Sequence, residues 1–219
     1  MDIPTTTDAF VLEALGLDGL VRRTRPLRAP GPGEVVVQMR AASLNYRDLK
    51  IMRGTYGKRQ PALPIVPLSD GAGRVVAVGP EVTAFSPGDR VLPIYMEGWH
   101  SGPLTPEARA TWRSKSGEVD GVATAYAVYD AADVLPIPDS LDDFEAACLP
   151  CAGVTAWHAL VEAGRLKAGD TVLTMGTGAV SLFALQIARM SGARVIATSS
   201  DEAKLARLAA LGAWQVINY

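Results

Sequence analysis

The sequence predicts an α/β protein with a β-rich part: a barrel-like β domain over residues 1–139, then an incomplete parallel-sheet domain over 140–219. Three observations predict it. Short β-branched runs recur between glycine and proline turns in the first part of the chain. Past Ser140 the apolar period lengthens, and strands alternate with helices. A glycine turn, Gly176-Thr177-Gly178, lies where an apolar strand passes into an apolar helix.

Each element has a local reason. Val35-Val36-Val37-Gln38-Met39 follows the turn pair Pro32-Gly33, and Val75-Val76-Ala77-Val78 lies between Gly73 and Gly79-Pro80. Pro87-Gly88-Asp89 introduces Arg90-Val91-Leu92, and Ala123–Val128 is a further β-prone run. Pro93–Gly121, with Trp99, His100 and Trp112, reads as a long surface loop with one helical turn around 106–112, functional or mobile. Ser140 reads as a helix N-cap with acids in the first turn, and Pro150 as a kink. The chain then runs strand 171–175, helix 180–191, strand 194–198, helix 201–211 and short strand 215–218. Connections this short require right-handed parallel crossovers.

Composition narrows the function classes. Of 219 residues, 48% are hydrophobic and 20% charged, enough for a buried core and against a disordered chain. Lys+Arg 21 against Asp+Glu 23 gives a net charge of -2, which argues against a nucleic-acid binder. No polybasic run points to a membrane surface. The uncharged stretch Thr171–Ala188 is broken by Thr174, Gly176, Thr177, Gly178 and Ser181, so strand, turn and helix explain it better than a membrane span. The start Met1-Asp2-Ile3-Pro4 lacks a secretory pattern, and two cysteines are too few for a disulfide framework. A cytoplasmic location is expected.

The turn carries the chemistry. Gly176-Thr177-Gly178-Ala179-Val180-Ser181 has the form G-x-G-x-x-S. The first glycine allows the tight turn, and the second lets backbone approach a pyrophosphate. The following helix aims free N–H groups and its positive dipole end at that anion. Ser181 is small enough for close helix–sheet packing. A tight turn with no ligand is the alternative. At the end of the next strand, where an NAD site wants a carboxylate on the ribose, stand Ser199 and Ser200. Hydroxyls there and Lys204 one turn on favour a 2′-phosphate, hence NADP (as NADPH). Asp201 opposes this by its charge, unless it caps the next helix.

Several motifs together carry a resemblance. Leu166–Tyr219, Ser43-Leu44-Asn45-Tyr46-Arg47-Asp48, Pro150-Cys151-Ala152-Gly153-Val154-Thr155-Ala156-Trp157 and the ending Ala213–Tyr219 resemble the medium-chain dehydrogenase/reductase superfamily, in particular its zinc-free quinone oxidoreductases. The first short motif also resembles enoyl reductase domains of polyketide synthases. The resemblance implies a GroES-like β-barrel catalytic domain and a Rossmann cofactor domain with the active site in the cleft between them. It further implies NADPH-dependent hydride transfer to a quinone, enone or carbonyl. It places Lys204 and Tyr219 at the 2′-phosphate, Thr155 near the phosphates or nicotinamide, and Asn45 and Asp48 in the nicotinamide cleft.

Zinc-dependent relatives carry ligands where this chain has Asn45 and Ser69-Asp70, leaving only Cys151 at a ligand position. One thiolate does not make a catalytic zinc site, and two cysteines do not make a structural one. No metal is expected. Cys148 and Cys151 form a C-x-x-C, read as small packing thiols rather than a redox pair. His158 reads as a packed or surface residue and His100 as a substrate-contact candidate.

Hydride transfer asks the protein to orient the cofactor and polarise the substrate oxygen. Tyr46, a phenol in the cleft motif, is the candidate donor; packing is its alternative role. Asp48 has a helix-capping alternative, and Arg47 reads as a surface charge or ion-pair partner. Nothing fixes the directions of Lys50, Arg53 and Tyr56. A zinc-free alcohol dehydrogenase is a second reading. A non-catalytic module, pairing through an open sheet edge as a homodimer or with another protein, is a third. Only 43 residues follow Gly176. The second half of a dinucleotide fold is therefore not in this sequence, and weak binding of the adenosine end of NADPH with poor turnover is expected.

Overall fold

A computed structural model describes residues 3–57, 61–111 and 113–219. The chain divides into two compact units, Met1–Pro150 and Cys151–Tyr219.

The first unit opens on a hairpin. Strand β1 (Thr6–Leu12) pairs antiparallel with β2 (Leu20–Pro26). Sequence reading gives no strand here, because Arg22, Arg23 and Arg25 make β2 look like a polar loop. Cross-strand pairing is what orders them. Asp8 accepts from Arg22 at 2.6 Å and from Thr24 at 2.7 Å, and Glu13 takes Arg23 at 2.8 Å.

Strand β3 (Glu34–Ser43) leads into helix α1 (Tyr46–Met52) and strand β4 (Asp70–Val78). Strand β5 (Arg90–Pro93) follows. Next comes a lobe with strand β6 (Met96–Glu97), helix α2 (Pro106–Thr111) and strand β7 (Arg113–Ser114). The helical turn expected at 106–112 thus exists; Trp112 lies outside the described residues. Strands β8 (Tyr126–Asp130) and β9 (Val134–Pro136) complete a five-stranded antiparallel sheet of order β8-β3-β4-β5-β9. The run expected at 123–128 begins three residues later, because Thr124 makes only an isolated bridge to Ala9. Val35, Val37, Val75, Val91, Tyr129 and Val134 form one core of this sheet.

Helix α3 (Asp143–Ala147) is capped by Asp142 rather than Ser140. Asp142 accepts from Glu145 N–H at 2.8 Å and Glu145 accepts from Asp142 N–H at 3.0 Å, a reciprocal box that Ser140 is too early to make. Ala146 and Ala147 pack with Ala41, Ala72, Leu92 and Ile137. Residues 140–150 therefore belong by packing to the first unit. The contact division falls at Pro150, eleven residues beyond the expected boundary at 139.

The second unit begins in a widened π-type turn, Leu149–Gly153, where Pro150 lacks a donor for a regular helix. Helix α4 (Val154–Trp157) continues into another π-type turn, His158–Ala163. Strand β10 (Thr171–Met175), helix α5 (Ala179–Met190), strand β11 (Arg194–Ser199), helix α6 (Glu202–Ala210) and strand β12 (Gln215–Asn218) follow. The three strands are parallel in the order β10-β11-β12, as the alternation predicts. Leu185, Ala188, Val195, Ala197, Leu205 and Leu208 form the core between sheet and helices. Among the described residues, no helix is long and apolar enough to cross a membrane.

One ion pair gives the first unit a pH dependence. Glu34 accepts from both guanidinium nitrogens of Arg28 and from Gly31 N–H at 2.8 Å. These bonds, Arg28's first, hold its carboxyl below the ordinary 4.5. The stabilisation is present above 4.5 and is lost as pH falls through the lowered value. Because Arg28 is exposed, Glu34→Gln should cost only ~0.5–1 kcal/mol at pH 7. In urea titrations the difference between parent and variant should vanish at low pH.

Candidate functional site

The second unit places its strand ends in a row. Met175 lies beside Thr198, and Ser199 beside Asn218, at the carboxyl end of the parallel sheet. Ligands bind open α/β sheets at this end.

Gly176 has φ 78, the left-handed region that favours glycine. Its N–H donates to Thr198 O at 3.1 Å and to Thr198 Oγ1 at 3.3 Å, which ties the turn to β11. The Ser181 hydroxyl donates to Met175 O at 2.9 Å and ties α5 to the end of β10. Gly178 stands at the N-cap without a side-chain cap, and the first helical bond runs from Leu182 N–H to Gly178 O at 3.0 Å. The N–H groups of Ala179, Val180 and Ser181 thus have no acceptor within the helix. A Cβ at either Gly176 or Gly178 would meet nothing within 4 Å. The cradle is open, with half-buried Thr177 between the two glycines and exposed Ala179 and Val180 beyond them. It has the space and the donors that a diphosphate requires.

At the end of β11 the two serines separate. Ser199 is buried, and its hydroxyl accepts from Asp201 N–H at 3.1 Å. Strand alternation turns it inward. Ser200 is exposed. Asp201 caps α6, accepting from Lys204 N–H at 3.0 Å, so its charge serves the helix N-terminus. Lys204 and Tyr219 are exposed, and Asn218 Nδ2 donates to Glu202 Oε1. Thr155 is exposed on α4.

In the first unit, Asn45 and Asp48 form the capping box of α1, with Asn45 N–H donating to Asp48 Oδ2 at 2.7 Å. Asn45 Nδ2 donates to Asp70, which also accepts from Ser69 Oγ at 3.2 Å. Asp48 is 2% exposed, and burial raises its carboxyl above the ordinary 3.8, against the Asn45 N–H and the Arg47 charge. Both residues hold the helix, Asp48 buried and Asn45 half-buried. Tyr46, 71% exposed with Lys50 Nζ 5.5 Å from its ring centroid, is the one of the three that presents a donor outward.

Of its two expected roles Arg47 takes that of ion-pair partner, 4.0 Å from Asp48 Oδ1, and not that of a surface charge. It is buried, with its guanidinium 4.6 Å from the Tyr95 ring centroid and 5.1 Å from that of Tyr56. Lys115, fully buried and bonded to Glu97 at 2.7 Å, was not singled out by sequence. It lies in Arg113-Ser114-Lys115-Ser116, a polar run that carries no burial signal. His100 is taken by Asp133 at 2.7 Å. Cys148 and Cys151 are half-buried and not disulfide-bonded, and Cys148 closes α3 at its C-terminal end, away from an activating dipole.

Asn45, Ser69 and Asp70 bond to one another around a single carboxylate. Among the described residues, no group of three or more His, Cys, Asp or Glu could hold a metal ion. These residues do not fit a zinc centre.

Two family models match the chain: the alcohol dehydrogenase GroES-like domain over residues 31–139, and the zinc-binding dehydrogenase over 179–219. A candidate alcohol dehydrogenase from Sinorhizobium meliloti 1021 superposes with a TM-score of 0.90 at 42% identity, covering 99% of this chain and 64% of its own. The chain belongs to the medium-chain dehydrogenase/reductase superfamily. Members of the superfamily with similar sequences include a zinc-type alcohol dehydrogenase-like protein of Schizosaccharomyces pombe, 45% identical over 86% of this chain and 54% of that protein. The polyketide synthase GfsB of Streptomyces halstedii is 39% identical over 92% of this chain and 3% of its own length. An NAD-dependent alcohol dehydrogenase superposes at TM-score 0.86 and 36% identity, over 97% and 63% of the two chains. This superfamily member spans about half the length of two curated alcohol dehydrogenase-like relatives that it matches. Its first unit carries the GroES-like half-barrel, and its second holds the parallel sheet within which the zinc-binding dehydrogenase model matches.

Proposed function

We propose that the chain forms the barrel and the adenosine-binding half of a zinc-free, NADPH-dependent reductase of quinones, enones or carbonyls. The observation that carries this is the open cradle at Gly176 and Gly178, where three helix N–H groups lack partners. NADPH, when bound, supplies the hydride. Everything else falls to the protein. The cradle donates to the diphosphate, and Thr155, on the same unit, contacts the cofactor. Ser200, Lys204 and Tyr219 receive the 2′-phosphate: a hydroxyl, a cation and a phenol, with the Asp201 carboxylate occupied as a cap. Tyr46 donates its hydroxyl hydrogen bond to the substrate oxygen as negative charge gathers there. The chain is expected to act on small molecules in the cytoplasm.

Two variants test the reading. Tyr46→Phe should lower kcat for a quinone or enone by about a hundredfold with KM for NADPH unchanged. Unaltered kcat removes Tyr46 as the donor. Lys204→Ala should reduce the preference for NADPH over NADH about tenfold in paired titrations. An unchanged preference removes the 2′-phosphate assignment. Alcohol oxidation on the same scaffold is the second reading, favoured by the likeness to an NAD-dependent alcohol dehydrogenase. It would show as turnover of alcohols with NAD and none of quinones with NADPH.

A further inference from the structure

Arg47 follows the exposed Tyr46 directly, yet its own side chain is only 8% exposed. It points into the lobe at 93–121. The guanidinium carbon lies 4.6 Å from the ring centroid of Tyr95, on the lobe, and 5.1 Å from that of Tyr56, just past α1. Arg47 Nη1 donates to the Lys115 carbonyl at 3.4 Å and stands 4.0 Å from Asp48 Oδ1.

The lobe end of this contact is itself anchored. Lys115 Nζ bonds Glu97 at 2.7 Å and lies 4.4 Å from the Tyr129 ring centroid, on β8. Glu97 also faces Arg113 at 3.4 Å. Asp133 accepts from Gly98 N–H at 3.2 Å and contacts His100 Nε2 at 2.7 Å. The β6–β7 ribbon is thus fastened to the barrel at several points, and Arg47 joins α1 to it.

The arrangement is not what packing alone would select. Arg47 Nε and Asp48 Oδ1 are buried without a hydrogen-bond partner. An apolar side chain at position 47 would fill the space without burying the unpartnered Nε. What only a planar cation provides is the stack between two rings together with a bond to a carbonyl.

We infer that Arg47 is a positioning residue that locks α1 to the 93–121 lobe and so fixes where the Tyr46 hydroxyl stands. The inference takes Tyr46 as the donor from the reading above; the lock itself rests on the geometry of the first unit.

Hydrogen exchange on the full chain, followed by mass spectrometry, reads the lock without reference to activity. In Arg47→Met, amides of 46–53 should exchange about tenfold faster while those of β3 and β4 keep their protection. Tyr95→Leu should produce the same local change from the lobe side. Tyr95→Phe, which retains the ring face, should stay within about threefold of the parent. Unchanged exchange at 46–53 in Tyr95→Leu overturns the inference, as does faster exchange in Tyr95→Phe equal to that in Tyr95→Leu. Should Arg47→Met loosen β3 and β4 as well, the Tyr95 pair decides. In steady-state assays, Tyr95→Leu should lower kcat for the quinone with KM for NADPH unchanged. If the parent enzyme turns over no quinone, the reductase reading fails while the exchange result still judges the lock.

Discussion

Gly178→Val should remove NADPH binding and leave the fold intact. Gly178 has φ -74 and ψ 168, extended backbone that valine adopts readily. A Cβ there meets nothing within 4 Å, so no neighbour must move. The new methyls would instead occupy the space through which a diphosphate reaches the unpaired N–H groups of α5. Affinity should fall at least about a hundredfold, roughly 2.7 kcal/mol, in calorimetric titration. The thermal midpoint should stay within about 2 °C of the parent. Gly176→Val is the contrasting case. At φ 78 it strains the backbone itself and should lower both stability and binding. Parallel losses in both variants would mean that the turn is structural only.

Lys115→Met should produce the largest loss of stability. The side chain is fully buried, and its ammonium is held by Glu97 at 2.7 Å and by the face of Tyr129. Burial pushes that ammonium below its ordinary 10.5, with Glu97 and Asp133 opposing the shift. Removing it leaves the largely buried Glu97 carboxylate with only Arg113, 3.4 Å away and mostly exposed, to answer its charge. The expected cost is about 3 kcal/mol in urea denaturation, at the lower end for a broken buried pair because Arg113 remains. Adding Glu97→Gln should recover part of the loss, since it removes the stranded charge. A double variant less stable than Lys115→Met alone would show that Glu97 serves something other than Lys115.

What the sequence makes legible follows its periodicities. From β10 onward the second unit is readable to within a residue or two at each element, because β10, α5, β11 and α6 each carry a pure period and a capped or glycine-marked end. The barrel is harder to read. Strand β2 is ordered by Asp8 and Glu13 from its partner strand, and no window within β2 contains that information. The site divides in the same way. The glycine turn is local, so its openness can be anticipated. The inward turn of Ser199 needs the register of β11, and the burial of Asp48 and Arg47 needs the lobe to close over α1. Lys115 is the extreme case: a buried lysine looks in sequence like a surface one until its carboxylate, eighteen residues earlier in the chain, is brought beside it.

Titration of the unmodified chain with NADPH and with NADH tests the central claim most directly. An open amide cradle at Gly178, with Ser200 and Lys204 beyond it, predicts saturable one-to-one binding of NADPH, and NADPH several-fold tighter than NADH. NADH binding as tightly as NADPH, or no saturation by either at millimolar nucleotide, would contradict the account.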